Sequence, residues 1–260
     1  INATFSVGGM QTRVNTLGCG DSWENDDLIS VLQIFGDETT KTGEYKYVEV
    51  NGLYRWEPTI RLRWEKVGRC ELIAWYPSDM ANFPIYNLHT DQSDETQLKA
   101  ADLITGCWYD VPKDYVDIPM KHRMSLVTIV YHVGTADYPD KDISEPQVYS
   151  KNNSVRFFRA PDHGQLVMGT PSGNSDWVKA CKHDDGMFSA IVIPGSYKAG
   201  EIFVKFKIGD QNFHAKMKSD TDFEEGKRYT YKLDVGKDKV ELTRISVDDM
   251  TGWTNEEDLK

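Results

Sequence analysis

The feature that most constrains this chain is a period of two in its apolar residues. Tyr229, Tyr231, Leu233 and Val235 alternate with Thr230, Lys232 and Asp234. Ile202, Val204, Phe206 and Ile208 alternate with Phe203, Lys205 and Lys207, and Val127, Ile129, Tyr131 and Val133 alternate with Leu126, Thr128, Val130 and His132. Successive side chains of a strand point to opposite faces, so each stretch reads as a strand that buries one face. The last is apolar on both faces and is expected to be a more central strand.

The same reading predicts strands at Leu28–Phe35, Tyr45–Val50, Ile60–Trp64, Glu71–Tyr76, Ser154–Arg159, Phe188–Ile193 and Val240–Val247. Turn chemistry separates them at Asn51-Gly52, Asp185-Gly186, Pro194-Gly195 and Gly236-Lys237. Helical periodicity is nearly absent. The best helical stretch is Ser93–Leu103, with Ser93 as cap and Leu98 and Leu103 facing inward. The polar stretch Thr135–Lys151 reads as a loop or linker. Many short strands with regular turns predict an all-β protein built of sandwiches or barrels.

With 260 residues, the chain suffices for one large domain or two ordinary ones. Acidic residues outnumber basic ones 41 to 30, a formal charge of −11. Neither half is basic, and no Lys/Arg cluster of the kind that grips phosphate backbones is present, so a nucleic-acid partner is not expected. No apolar run approaches the roughly 18 residues that span a bilayer. The opening Ile1-Asn2-Ala3-Thr4-Phe5, without an initiator Met, is expected of a chain whose targeting segment has been removed.

Chemistry is hard to find. Cys19, Cys70, Cys107 and Cys181 are irregularly spaced and match no zinc or redox motif. They are read as free or buried thiols, although three disulfide pairings stay open. Nucleophile elbows, phosphate-cradling glycine loops and the His-Glu-x-x-His motif are missing. Cys181-Lys182-His183-Asp184-Asp185 is the densest group of potential ligands. On a strand, Cys181, His183 and Asp185 would share a face and could hold a metal. A solvated turn at Asp185-Gly186 is the preferred reading, so no metal, cofactor or catalytic residue is assigned. Tyr45, Tyr47, Tyr54, Trp56, Trp64, Trp75 and Tyr76 crowd the first half. Buried, they are core; exposed and coplanar, they would make a sugar-stacking platform.

Several segments, taken in order, resemble the fimbrillin family of Bacteroidales, the Mfa-like surface lipoproteins and pilus subunits. Thr12-Arg13 follows an opening strand, Asn2–Val7. Trp23 with Asp26–Phe35 resembles the family's Trp…Gly-Asp-x-Ile-Gly-Val-Phe stretch, and Ile73-Ala74-Trp75-Tyr76-Pro77 its apolar-Ala-Tyr-Tyr-Pro strand end. Asp91-Gln92-Ser93 with Ala101-Asp102-Leu103-Ile104, then His122-Arg123-Met124-Ser125, follow in the family's order. Phe223-Glu224-Glu225-Gly226-Lys227-Arg228-Tyr229-Thr230-Tyr231 resembles its Phe-x-x-Gly-Lys-x-Tyr-x-Tyr, and Ile245–Trp253 its closing Ile-x-Ile…Ile-x-x-Trp. Pro194-Gly195, where the family often has Val-Pro-Gln, and Asp27, where a glycine is expected, depart from the pattern.

The resemblance implies two tandem transthyretin-like β-sandwich domains, residues 1–120 and 121–260. It implies a non-enzymatic cell-surface fimbrial subunit, anchored in the outer membrane through a lipidated cysteine upstream of Ile1. It implies processing at Arg13 that frees the first strand, with other fimbrial subunits as partners by donor-strand exchange and a host or bacterial surface ligand for adhesion. The tail Thr254–Lys260 is short and charged for a donor strand, which favours a tip or accessory role. A surface carbohydrate-binding module using exposed aromatics is the alternative.

Overall fold

In a computed structural model, residues 4–6, 23–65, 68–80, 83–113, 115–134, 142–183, 186–236 and 239–250 are described. The first half holds β1 (Thr4–Ser6), β2 (Leu28–Phe35), β3 (Thr40–Val50), β4 (Leu53–Ile60), β5 (Cys70–Tyr76), β6 (Ile85–Asn87), α1 (Glu95–Ala100), β7 (Ile104–Asp110), β8 (Tyr115–Asp117) and β9 (Met120–His122). The second half begins with β10 (Ser125–Val133), β11 (Ser144–Ser150), β12 (Ser154–Arg159), β13 (Leu166–Met168), β14 (Asp176–Lys179), β15 (Cys181–His183) and β16 (Met187–Val192). It continues with β17 (Gly195–Tyr197), β18 (Ile202–Ile208), β19 (Gln211–Lys216), β20 (Thr221–Phe223), β21 (Lys227–Val235) and β22 (Val240–Asp249). The protein is all-β, as the two-residue period predicts.

A six-stranded sheet, ordered β4-β3-β2-β5-β7-β9, dominates the first half. Its β3–β4 hairpin turns at Asn51 and Gly52, whose φ of 55° and 79° are the positive pair that a two-residue turn with matching twist requires. β5 is buried along its whole length, because the sheet is covered on both sides. One face carries Val31, Leu72, Ala74 and Tyr76 into a core with Trp23, Trp56 and Val116. The other carries Ile34, Ile73 and Trp75 into a core shared with the second half.

In the second half, a five-stranded sheet, β15-β16-β10-β21-β22, and a four-stranded sheet, β14-β11-β18-β19, contribute to one core. β10 lies at the centre of the larger sheet, parallel to β21 and antiparallel to β16, as its two apolar faces predict. Residues 85–103 also pack here. β6 pairs with β12, and Leu88, Leu98, Ala101 and Leu103 enter the shared core. Gln92 is fully buried and acts as a surrogate strand residue: its Nε2 donates to Ile191 O at 3.0 Å and its Oε1 accepts from Ile191 N at 2.7 Å.

Five local expectations are corrected. Thr135–Lys151 is not a loop throughout: Ser144–Ser150 forms β11 and pairs with β14 and β18. Ile60–Trp64 is not a strand; the strand ends at Ile60, and Leu53–Ile60 pairs with β3 instead. The helix is capped by Asp94 rather than Ser93, with Asp94 Oδ1 accepting from Gln97 N at 2.9 Å; the side chain of Ser93 bonds to Asp91. A register shift between Ile202 and Val204 turns Ile202 outward and buries both Phe203 and Val204. Finally, Cys181–His183 is a strand rather than a solvated turn, and both Cys181 and His183 face the interior.

Candidate functional site

The opening strand is the feature that sequence reasoning placed at the centre of function. Thr4, Phe5 and Ser6 pair in parallel with Tyr115, Val116 and Asp117, and β1 also lies near β4. The strand is therefore held by the first half. Among the described residues it pairs with no strand of the second half. Val116, Ile118 and Met120 are buried in the outer core of the first half, so the segment bearing β8 is rooted by its side chains. β1 itself rests on three register pairs, and parallel ladders are slightly weaker per residue than antiparallel ones. Arg13 lies outside the described residues, as do Cys19, Asp185 and Trp253.

The aromatic crowd of the first half is mostly core. Trp23, Trp56, Trp75, Tyr45 and Tyr76 are buried. Both Tyr45 and Trp75 are inside because the sheet is covered on both faces, where alternation alone predicts one. Trp64 and Trp108 are half-buried but tilted 42° to each other, so they offer no common plane. Tyr54 is exposed, yet its ring stacks on Tyr47 at 5.4 Å. Among the described residues the first half presents no coplanar exposed platform.

Two buried charges fix segments in place, and the first of them, Glu71, ties the two halves together. Glu71, on the central strand β5, accepts from Arg159 Nε at 2.8 Å and from Gly164 N at 3.0 Å, while Arg159 Nη1 reaches Glu38 at 3.0 Å. Arg123 is 1% exposed. Its Nη2 donates to Leu166 O at 3.0 Å and lies 3.0 Å from Glu225 Oε2, and its guanidinium carbon stands 4.8 Å from the centre of the Phe157 ring. Burial lowers the pKa of this guanidinium, and the Glu225 carboxylate opposes that shift. His122 and Asp102, both buried, meet through Nδ1 at 2.9 Å. These contacts fix segments to each other and contain no aligned nucleophile and base.

Cys70, Cys107 and Cys181 are free thiols. Burial pushes Cys107 up to about 12 and Cys181 up to about 11, and raises Cys70 as well. Cys181 and His183 share an inward face, but His183 Nε2 meets Ser189 Oγ at 3.2 Å. No group of three or more His, Cys, Asp or Glu among the described residues is placed to hold a metal ion.

The fimbrillin-like family matches residues 12–250, and the chain belongs to that family. Among solved structures, a protein of Bacteroides uniformis provisionally assigned to cell adhesion aligns with a TM-score of 0.66 at 19% identity, covering 96% of this chain and 97% of its own. A Bacteroides ovatus protein with the same provisional assignment aligns with a TM-score of 0.62 at 16% identity, covering 98% and 97%. The tip fimbrial protein Mfa3 from Porphyromonas gingivalis, with a C-terminal truncation, aligns with a TM-score of 0.52 at 9% identity over 87% of this chain and 95% of its own. At such identities the alignments establish a shared fold. No curated protein matches.

Proposed function

We propose that this protein is a non-enzymatic fimbrial subunit of the cell surface that works in pilus assembly and cell adhesion, joining other fimbrial subunits by strand addition. The fimbrillin-like match over residues 12–250 carries the reading. The short parallel ladder of β1 supports it physically, since a three-residue strand is cheap to withdraw and leaves backbone donors and acceptors that a strand from another subunit can satisfy. In this reading Arg13 is the cleavage point, the two sandwich units are residues 1–120 and 121–260 with transthyretin-like topology, a lipid anchor upstream of Ile1 holds the protein to the outer membrane until assembly, and the subunit sits at the tip or in an accessory position.

The test is cleavage followed by assembly. The protein and its Arg13→Ala variant are treated with an Arg-specific protease, mixed with purified partner subunits, and followed by size-exclusion chromatography and unheated SDS gels. Cleaved wild-type protein is expected to form mixed oligomers and Arg13→Ala to stay monomeric. Complete cleavage after Arg13 with no mixed oligomer at any partner concentration overturns the reading.

A further inference from the structure

A second surface lies on the opposite half of the chain, on the outer face of the four-stranded sheet. The register places Lys179 opposite Gln147, Gln147 opposite Lys205, and Lys205 opposite His214, one row across all four strands. Trp177 stands opposite Tyr149 in the next row, and Lys207 opposite Asn212 on the other side. Their sequence neighbours Val148, Val178, Val204, Phe206 and Ala215 are buried, so alternation turns this set toward solvent.

The charge of this face runs against that of the whole chain. The protein carries −11, yet the face presents Lys179, Lys205, Lys207 and Lys216. Lys179 meets Asp91 at 2.8 Å and Lys207 meets Glu145 at 2.7 Å. Lys205 and Lys216 have no carboxylate partner among the described residues. Instead the Lys205 ammonium lies over the Trp177 ring, 3.8 Å from its centre, and Trp177 is flanked by Tyr149 at 5.1 Å. Beside them a shallow cleft of about 320 Å³ is lined by Gln147, Lys205, Lys207, Asn212 and His214 together with Glu145, which Lys207 neutralises, and the apolar Ile202, Phe206 and Phe213.

We propose that this face binds an acidic oligosaccharide, one whose sugars carry carboxylate or sulfate groups. A sugar ring has an apolar C–H face that stacks on an indole, and hydroxyls that suit the paired donors and acceptors of Gln147 and Asn212. An acidic substituent supplies the anion that Lys205 lacks. In the free protein the Lys205 ammonium rests on the indole face; an exposed contact of that kind is weak, so the ammonium can swing to the acid group and open the ring to the sugar. Three strand spacings of about 4.8 Å give the face a width of roughly 14 Å, enough for two or three rings. A long nucleic acid fits less well, because the face lacks guanidinium forks and the rest of the molecule repels a polyanion.

The test is titration of the full chain with oligogalacturonate and with chondroitin sulfate oligosaccharides, followed by calorimetry, with neutral dextran oligosaccharides and single-stranded DNA as comparison arms. Trp177→Ala is expected to weaken binding at least tenfold and Trp177→Phe to retain most of it. Lys205→Gln with Lys216→Gln is expected to weaken binding at least tenfold and to flatten its salt dependence. Thermal melts of the variants confirm folding, since all these side chains point outward. The carboxylate and sulfate arms tell which acid group is preferred; binding of either supports the proposal. Absence of binding to both, equal binding of dextran or of DNA, or retention of affinity in Trp177→Ala overturns it. So does sedimentation showing that the same substitutions abolish self-association while no sugar binds, which would make the face a contact between copies.

Discussion

The buried Arg123 yields a prediction in which the more exposed partner of an ion pair matters more. Glu225 has a side chain 29% exposed, whereas that of Arg123 is 1% exposed. Glu225→Ala leaves the guanidinium inside with one hydrogen bond, to Leu166 O, and the face of Phe157. Removing one member of a buried pair costs about 3–5 kcal/mol, and the two remaining contacts bring the expected loss to about 2–3 kcal/mol. Arg123→Met removes the charge and keeps the apolar volume. It gives up one hydrogen bond of about 1 kcal/mol and regains the desolvation of the guanidinium, while Glu225 turns to water, so its net cost is expected at about 0–1 kcal/mol. The double variant is expected within about 0.5 kcal/mol of Arg123→Met alone, because Glu225 has nothing left to compensate. Urea unfolding followed by both fluorescence and circular dichroism measures these values, and coincidence of the two probes checks that one transition is being read. The reasoning fails if Arg123→Met costs more than Glu225→Ala, or if Glu225→Ala is indistinguishable from wild type.

Three further outcomes follow from local geometry. A methyl group at Gly106 would stand 2.5 Å from Pro119 O and 2.7 Å from Met120 Sδ, so Gly106→Ala is expected to cost about 1–3 kcal/mol in urea unfolding; no change would mean that β9 can move away freely. The raised thiols of Cys70, Cys107 and Cys181 predict that iodoacetamide labels them slowly in the native protein at about pH 8 and rapidly in urea, and fast native labelling seen by peptide mass spectrometry would contradict their burial. Asp142 is held below its ordinary value of 3.8 by hydrogen bonds from Lys182 and Tyr131. A depressed carboxylate contributes stability above its ordinary pKa and loses it as the pH falls through its folded value, so Asp142→Asn should be less stable by on the order of 0.5 kcal/mol at neutral pH, with the gap closing as the pH falls below the ordinary carboxylate range; a gap that stays constant into acid refutes the linkage.

The period of two made most of the fold legible, because burial of one face is a local property of a strand. β2, β10, β12 and β21 lie where alternation and turns place them. The misread positions have non-local causes. Ile202 and Phe203 exchange sides because of a register shift that only pairing with β19 reveals. Tyr45 and Trp75 are both inside because a second layer covers the sheet, which no window of sequence reports. Cys181–His183 gains its strand character from β16. The charged ties are less legible still. Glu71 and Arg159 are 88 positions apart, and each reads alone as an ordinary surface residue. The outer face of the four-stranded sheet had one visible signal, the basic residues Lys179, Lys205, Lys207 and Lys216 in an acidic chain, but their convergence depends on a register that spans β14 to β19.

The edges of the sheets indicate where strand addition would act. An exposed edge is a template for any extended chain, and folded proteins guard theirs with charges and irregular register. β4, one edge of the first sheet, carries the Arg55–Glu57 pair in its middle. β22, the edge of the five-stranded sheet, carries Glu241, Arg244, Asp248 and Asp249, and a register shift at Thr230/Tyr231 breaks its ladder with β21. β8 differs: among the described residues its ladder partner is β1 alone, over three residues, while Val116 and the following Ile118 stay rooted in the core. Withdrawing β1 would therefore uncover a backbone edge while leaving the side chains that position it in place. The two long guarded edges would offer an incoming strand charge and mismatch. On the strand-addition proposal, this asymmetry places the acceptor on the first half, and it leaves the lysine-rich face of the second half free to meet a sugar after assembly.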